Sequence, residues 1–503
     1  MTTVPTSSST STGTAAGRAG GPARPGWLLA VVLAGQFMAL LDVFIVNVAA
    51  PTLRADLQAT DSRLQLIVAG YTIAYAVLLV TGARLGGRFG PGRLYLVGLA
   101  FFTVLSLACG LAGDDLWLIV FRVLQGAAAA LMIPQVLALI QRSFEGAARA
   151  RALSLFGAVI AVGAAAGQLL GGLLINADLF GWSWRPVFLV NVPIGLLLLV
   201  GGLRVLPLGR PRLAERARSM DLPGLSLLAV AVLLCTVPLV LGQEWGWPAW
   251  CWAALASSAL VTGVLLAHET RLSRRGGAPL ISPRVLVSSG GPMALIFVVM
   301  ALNGGLTFAL ALHIQGPESQ AGLGYGALRA GLTFLPTALA FGGISLYWRR
   351  LPAGWRPALP PVGLLSAAGS LLALGVVLRD GGGGAALVAL SAGAGVGLAL
   401  AYGPTLDAAL SRVRREDAAD ASGMTVMMTQ LGMLVGVATF GTLYLNRAAH
   451  TASSAEGAWS ASAALAAAAL AGAALGARGR RSGRRTSGGG EAVAAGRGMR
   501  VEG

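Results

Sequence analysis

The sequence predicts an all-α polytopic membrane protein. Fourteen apolar stretches of helix-spanning length run through its 503 residues, and arginines cluster in alternate gaps between them. Only 11% of residues are charged against 55% hydrophobic, and the mean hydropathy is +0.74. A soluble domain averages about 25% charged residues, so lipid must cover much of this surface. A bilayer core of about 30 Å takes about 20 apolar residues per helix. Backbone polar groups in hydrocarbon need internal partners, which selects helices.

The spans fall near 27–50, 64–83, 94–113, 116–140, 152–175, 186–206, 222–242, 249–267, 291–314, 327–347, 358–378, 385–406, 421–446 and 458–477. The run from Trp27 to Ala50 exceeds the apolar core of a signal peptide, about 7–15 residues, so it stays as the first helix. Residues 1–26 and the Arg/Gly-rich 478–503 read as disordered cytoplasmic tails. Arg84, Arg88 and Arg93 fill one gap; Arg142, Arg149 and Arg151 fill the next but one. Arg204, Arg210, Arg212, Arg216 and Arg218 follow, then Arg271 to Arg284, Arg349 to Arg356, and Arg412 to Arg415. The opposite gaps hold Asp56, Asp61, Asp114, Asp115, Asp178, Glu244 and Glu318. Arginine bias marks the cytoplasmic side, so both termini are expected inside. Trp245, Trp247, Trp250 and Trp252 crowd one outer gap, as an interfacial aromatic belt or, less simply, a ligand cage would.

All 37 basic residues are arginine. Without lysine there is no phosphate-binding G-K-[ST] loop, which excludes an ATP-driven pump carrying its own nucleotide domain. The net charge of +17 is segregated by loop, which argues against nucleic acid as a partner. Cys109, Cys235 and Cys251 are too scattered for a disulfide or metal framework, and the three histidines lack ligand spacing. No metal or cofactor is expected.

Charges within spans are the sharpest clues, since each costs about 2.5–3.5 kcal/mol at the bilayer centre. Asp42 and Arg122 stand out. Fifteen residues at 1.5 Å place Asp42 about 22 Å from the inner surface. Six residues place Arg122 about 9 Å below the outer one. Both therefore sit in the outer half. A carboxyl in such a setting can exchange a proton. Low dielectric favours the neutral form, and a neighbouring guanidinium favours the charged one. One charge crossing ~150 mV releases about 3.5 kcal/mol, enough for a few-hundred-fold substrate gradient.

Four motifs on the right helices, in the right order, at Leu41–Pro51, Arg84–Gly90, Phe121–Gly126 and Gly163–Gly172, resemble those of the 14-helix drug:proton antiporter branch of the major facilitator superfamily. Leu41-Asp42-Val43-Phe44-Ile45-Val46-Asn47-Val48-Ala49-Ala50-Pro51 resembles that branch's first-helix signature. Phe121-Arg122-Val123-Leu124-Gln125-Gly126 resembles the fourth-helix motif, whose arginine is associated with proton transfer. Gly163, Gly167, Gln168, Gly171 and Gly172 resemble the antiporter motif of helix five. Arg84-Leu85-Gly86-Gly87-Arg88-Phe89-Gly90 falls at the family's cytoplasmic loop. Gly87 stands where that loop carries an aspartate, and Gln168 where helix five carries a proline. The resemblance thus implies gating through contacts other than an acid at 87, and leaves helix five without its usual source of a bend.

The implied architecture is two six-helix bundles, 27–206 and 286–477, with two extra helices and basic linkers at 207–285. Those extra helices are expected at the rim of the bundle. Gly163, Gly167 and Gly171 share one helix face and suit close backbone packing. Tyr71, Gln125, Gln135, Asn303 and Gln430 are candidates for a substrate cavity or for interhelical glue. Asp407 reads as interfacial, near Arg412 and Arg414.

The expected function is export of small organic compounds, such as an antibiotic, by alternating access in the plasma membrane. It would be driven by the proton motive force, work as a monomer, and need no cofactor. Its partners are the substrate, protons and the bilayer. A nutrient importer of the same fold is the rival. An enzyme is disfavoured by the lack of H-E-x-x-H and G-x-S-x-G motifs.

Overall fold

The structure, a computed structural model, describes residues 25–178, 181–208, 221–242, 245–275, 277, 283–411, 413–414 and 417–474. The expected tails, apart from residues 25 and 26, lie outside the described residues. So do Arg210, Arg212, Arg216, Arg218, Glu244, Arg412 and Arg415.

Helices occupy all fourteen predicted stretches. They are α1 (Pro25–Leu57), α2 (Asp61–Phe89), α3 (Pro91–Gly110), α4 (Asp115–Ser143) and α5 (Gly146–Ala177). Next come α6 (Pro186–Val205), interrupted at Val190, α7 (Leu222–Leu241), α8 (Ala249–Arg274) and α9 (Pro283–Gln315). The last five are α10 (Ala327–Tyr347), α11 (Leu359–Arg379), α12 (Gly384–Ser411), α13 (Ala418–Thr451) and α14 (Ser454–Ala474). Among the described residues, twelve helical stretches are long and apolar enough to cross a membrane. The apolar parts of α5 and α7 are shorter, Ala166–Ala177 and Pro223–Leu239. No strand occurs among the described residues.

Local chemistry sets several ends. The Thr60 hydroxyl accepts from Arg63 N at 3.4 Å and starts α2 before its predicted 64. The Asp114 carboxylate accepts from Trp117 N at 2.9 Å and starts α4. Gly90 stops α2 with φ +96, a left-handed conformation that suits glycine, and Pro91 then opens α3. α5 runs unbroken from Gly146 to Ala177 through Gln168.

Without a hydrophobic force between helices in lipid, close packing has to come from small residues. A Cβ on Gly82 would lie 1.9 Å from the Ala130 carbonyl oxygen, and one on Gly126 would lie 2.2 Å from that of Tyr71. α2 and α4 therefore meet backbone to backbone. The α5 glycines do the same against α1. A Cβ on Gly163 would come within 2.9 Å of Leu40, one on Gly167 within 2.8 Å of Phe44, and one on Gly171 within 3.0 Å of Val48. Gly172 is buried beside them. Overpacking of this kind costs about 1–3 kcal/mol, so Gly167→Leu is expected to lower the unfolding temperature and abolish transport. An unchanged thermal-shift midpoint in detergent would contradict the tight α1–α5 seam.

Two groups of helices and one pair result. In the first group, α4 packs on α2 and α3, and α1 on α5 and α6. In the second, α9 packs on α13, α11 on α12, and α10 on α12, while Trp459 and Ser462 of α14 meet Gly375 of α11. The groups touch along α5–α10 and α2–α13. α7 and α8 pack on each other. α8 is largely exposed, as a rim helix is. α7 reaches further in than expected: it contacts both α2 and α13, with Leu228 set among Val80, Ala83, Met424 and Met427. At the other end of this pair Trp245 meets Trp250 at 5.4 Å, and Trp247 meets Trp252 at 5.3 Å. Trp247 Nε1 donates to Thr442 Oγ1 of α13 at 3.2 Å.

The arginine-rich end of the bundle is shut. Gln141 Nε2 on α4 donates to Ser422 Oγ on α13 at 2.7 Å. Arg84 Nε lies 3.3 Å from Asp420 Oδ1. A Cβ on Gly423 would stand 2.6 Å from that of Ala83.

Candidate functional site

Asp42 and Arg122 meet inside the first group of helices. Arg122 Nη1 donates to Asp42 Oδ2 at 2.6 Å, and the side chains are 1% and 0% exposed. The chain brings them together for local reasons. The cap at Asp114 fixes the phase of α4, so Arg122 and Gln125, three residues apart, share one face. The glycine seam with α5 holds α1, with Asp42 lying between the packed Leu40 and Phe44.

The cluster draws on five helices. Gln125 Nε2 donates to Asp42 Oδ1 at 3.1 Å and to Ser106 Oγ of α3 at 2.6 Å. Asn191 Nδ2 of α6 donates to the same Asp42 oxygen at 2.9 Å and to Ser106 Oγ at 3.3 Å. Arg122 also donates from Nη1 to Gln125 Oε1 at 2.7 Å and from Nε to the Ile67 carbonyl of α2 at 3.2 Å. Its guanidinium lies over Tyr71, 4.6 Å from the ring centroid, and 5.7 Å from that of Phe188. The Cys109 thiol stands 3.8 Å from Gln125 Oε1, so this buried cysteine faces the polar cluster. Leu41, Ile45, Ile67, Trp184 and Phe188 belong to an apolar cluster that packs beside these groups. A charge buried this far needs a partner and hydrogen bonds, and the pair has both.

The other sequence-predicted residues lie elsewhere. Gln135 Nε2 donates to the Gly82 carbonyl at 2.9 Å and ties α4 to α2. Asn303 and Gln430 are half-buried on α9 and α13. The five cavity candidates therefore do not gather at one place: Tyr71 and Gln125 join the Asp42 cluster, and Gln135 acts as glue. Asp407 pairs with Arg349 at 2.6 Å. Arg88 is exposed beside Phe89, while Arg84 faces Asp420 from the helix turn that bears Gly87. Ser106, Asn191 and Asp420 were not singled out from the sequence. A neutral polar residue in an apolar run commonly bonds its own helix, as Ser391 and Thr405 do here. Among the described residues no cluster of three or more His, Cys, Asp or Glu could hold a metal ion.

Residues 32–437 match the Major Facilitator Superfamily. The chain belongs to that superfamily. Other superfamily members resemble it along most of its length. It is 39% identical over 445 residues to the probable actinorhodin transporter of Streptomyces coelicolor, covering 85% of this chain and 74% of that one. It is 34% identical to the tetracenomycin C resistance and export protein of Streptomyces glaucescens, covering 84% and 77%. The human organic anion transporter MFSD10 (TETRAN) shares the fold, with a TM-score of 0.63 and 16% identity, covering 90% of this chain and 99% of that one. As a superfamily member with many apolar spanning helices, the protein is a multi-pass membrane protein of a transporter family.

Proposed function

We propose that this protein exports small organic compounds across the bacterial plasma membrane, in exchange for protons, by alternating access. The Asp42–Arg122 pair, buried and 2.6 Å apart, is the observation that carries the coupling. The Streptomyces relatives, described as transporter, resistance and export proteins, support outward transport of such compounds. The proposed topology has fourteen spans and cytoplasmic termini, with six-helix halves at 27–206 and 286–477 and the extra pair within 207–285. The transporter acts as a monomer, without cofactor and without chemical turnover of its substrate.

In the described conformation the Asp42 carboxyl is sealed from water. Proton exchange therefore requires the helices around it to part. With the arginine-rich end taken as cytoplasmic, the protein rests closed to the cytoplasm. Arg84–Asp420 and Gln141–Ser422 form that closure, with the acid supplied by α13 rather than by position 87. Asp420→Asn is expected to raise the inward-open population about fivefold, the equivalent of about 1 kcal/mol. Thiol labelling of a cysteine introduced on the α2 face of this seam reads that shift. No change in labelling rate would remove the latch.

Direction of transport tests the whole reading. Inside-out vesicles energised by an inside-acidic gradient are expected to accumulate a drug substrate and to lose it when a protonophore collapses the gradient. Accumulation only in right-side-out vesicles would favour a nutrient importer.

A further inference from the structure

We infer that Asn191 is the positioning residue that lets Asp42 change protonation state inside the sealed cluster, by turning its side-chain amide over. This rests on the reading of Asp42 as the proton-exchanging group. It adds a residue that neither the sequence nor the relatives pointed to.

The geometry is lopsided. Three N–H donors converge on the Asp42 carboxyl: Arg122 Nη1 on Oδ2, and Gln125 Nε2 and Asn191 Nδ2 on Oδ1. Among the described residues every hydrogen bond to this carboxyl comes from an N–H donor. That pattern suits a carboxylate and opposes a carboxylic acid, whose O–H would point at other N–H groups. Yet the cluster contains one buried acceptor with no donor: Asn191 Oδ1. Leaving such an atom unpaired costs about 1–3 kcal/mol.

A half-turn of the Asn191 amide gives the acid its missing acceptor, and it costs no existing bond on the other side, because Oδ1 has no partner to lose; the NH₂ then takes that place. Nδ2 now donates to Asp42 Oδ1 and to Ser106 Oγ. After the turn Oδ1 occupies that place and accepts from both. Asp42 supplies the O–H formed when a proton adds to its Oδ1. Ser106 supplies its own hydroxyl hydrogen, which two incoming donors leave free to turn toward the amide. One proton is taken from water when the site opens on one side and returned to water on the other. The O–H formed on Asp42 replaces one broken in hydronium, and release to water reverses the exchange.

Gln125 cannot serve in this way. Its Oε1 already accepts from Arg122 Nη1 at 2.7 Å, so turning it would press an NH₂ against the guanidinium. Four titratable or charged groups belong to the described cluster that holds Asn191. They are Asp42 from α1, Arg122 from α4, Tyr71 from α2, stacked on that arginine, and Cys109 from α3, directed at Gln125.

Infrared difference spectroscopy on the full-length protein in liposomes tests this, using asparagine carrying a carbon-13 amide carbonyl. A pH step is expected to shift one asparagine amide band with the same midpoint as the Asp42 carboxyl band. The amide band should vanish in Asn191→Leu. In transport, Asn191→Leu should lower substrate-driven proton movement about tenfold, the effect of one hydrogen bond to a charged group. Asn191→Thr, which can donate or accept, should recover most of it. An asparagine amide band that stays fixed while the Asp42 carboxyl titrates overturns the proposal and leaves Asp42 in place. Wild-type proton movement in Asn191→Leu also overturns it. If no carboxyl band disappears in Asp42→Asn, the coupling reading itself fails instead.

Discussion

Asp42→Asn is expected to abolish substrate-driven proton movement in reconstituted vesicles while leaving substrate binding intact. The amide can still accept from Arg122 at the position where the guanidinium now meets the carboxylate at 2.6 Å. It cannot take up and release a proton in the relevant pH range. One proton crossing ~150 mV supplies about 3.5 kcal/mol, so the variant forfeits up to a few-hundred-fold substrate gradient. Downhill exchange of substrate across the membrane should survive, because no contact in the gating seam involves Asp42. The measurement is pH-dye quenching on substrate addition, run beside equilibrium binding of the same substrate. Full coupling in the variant would remove Asp42 from the mechanism.

The second large effect is asymmetric. Arg122→Leu leaves Asp42 buried with no cation, and breaking a buried pair from one side costs about 3–5 kcal/mol. That is a large share of the margin of a typical fold. The single variant should express poorly and unfold at a much lower temperature. Removing both charges should reverse the damage: Asp42→Asn with Arg122→Leu regains most of the thermal stability, because no unpaired charge remains. It stays silent in coupled transport. The two sites bond each other and share Gln125 as a partner, so their effects should not add. A double variant as unstable as the sum of the singles would mean that Arg122 stabilises the fold through its stacking on Tyr71 and its bond to the Ile67 carbonyl, rather than through its charge.

The sequence exposed the pair because charge in an apolar run is expensive and therefore conspicuous. Counting rise per residue was enough to place both groups at one depth. The glycine spacing in α5 was legible for a similar reason, since three small residues on one face have to meet something close. The identity of that partner, the Leu40–Phe44–Val48 face of α1, was not. Asn191 and Ser106 stayed hidden because uncharged polar side chains in membrane helices are common and usually satisfied locally. Asp420 stayed hidden because it sits near a helix end, where an acid needs no special explanation. The depth to which α7 reaches between α2 and α13 had no sequence signal, since Leu228 looks the same against lipid as against protein.

The departures from the family motifs read differently once the side chains are placed. Gly87 removes an acid from the turn that carries Arg84, and Asp420 on the facing helix provides one. Gln168 replaces the residue that would bend α5, and α5 runs unbroken. The glycine seam is preserved in that unbroken helix.

The protonation state of Asp42 in each of the two conformations is the most direct measurement. Trapping the protein by a crosslink across the α2–α13 seam, and separately by one that holds the opposite end shut, isolates the two states. Infrared spectra at one pH, with Asp42→Asn as the subtraction reference, then read the carboxyl band. A proton-coupled exporter built on this pair has Asp42 ionised in one trapped state and protonated in the other. The same ionisation state in both, at every pH where transport runs, would contradict it.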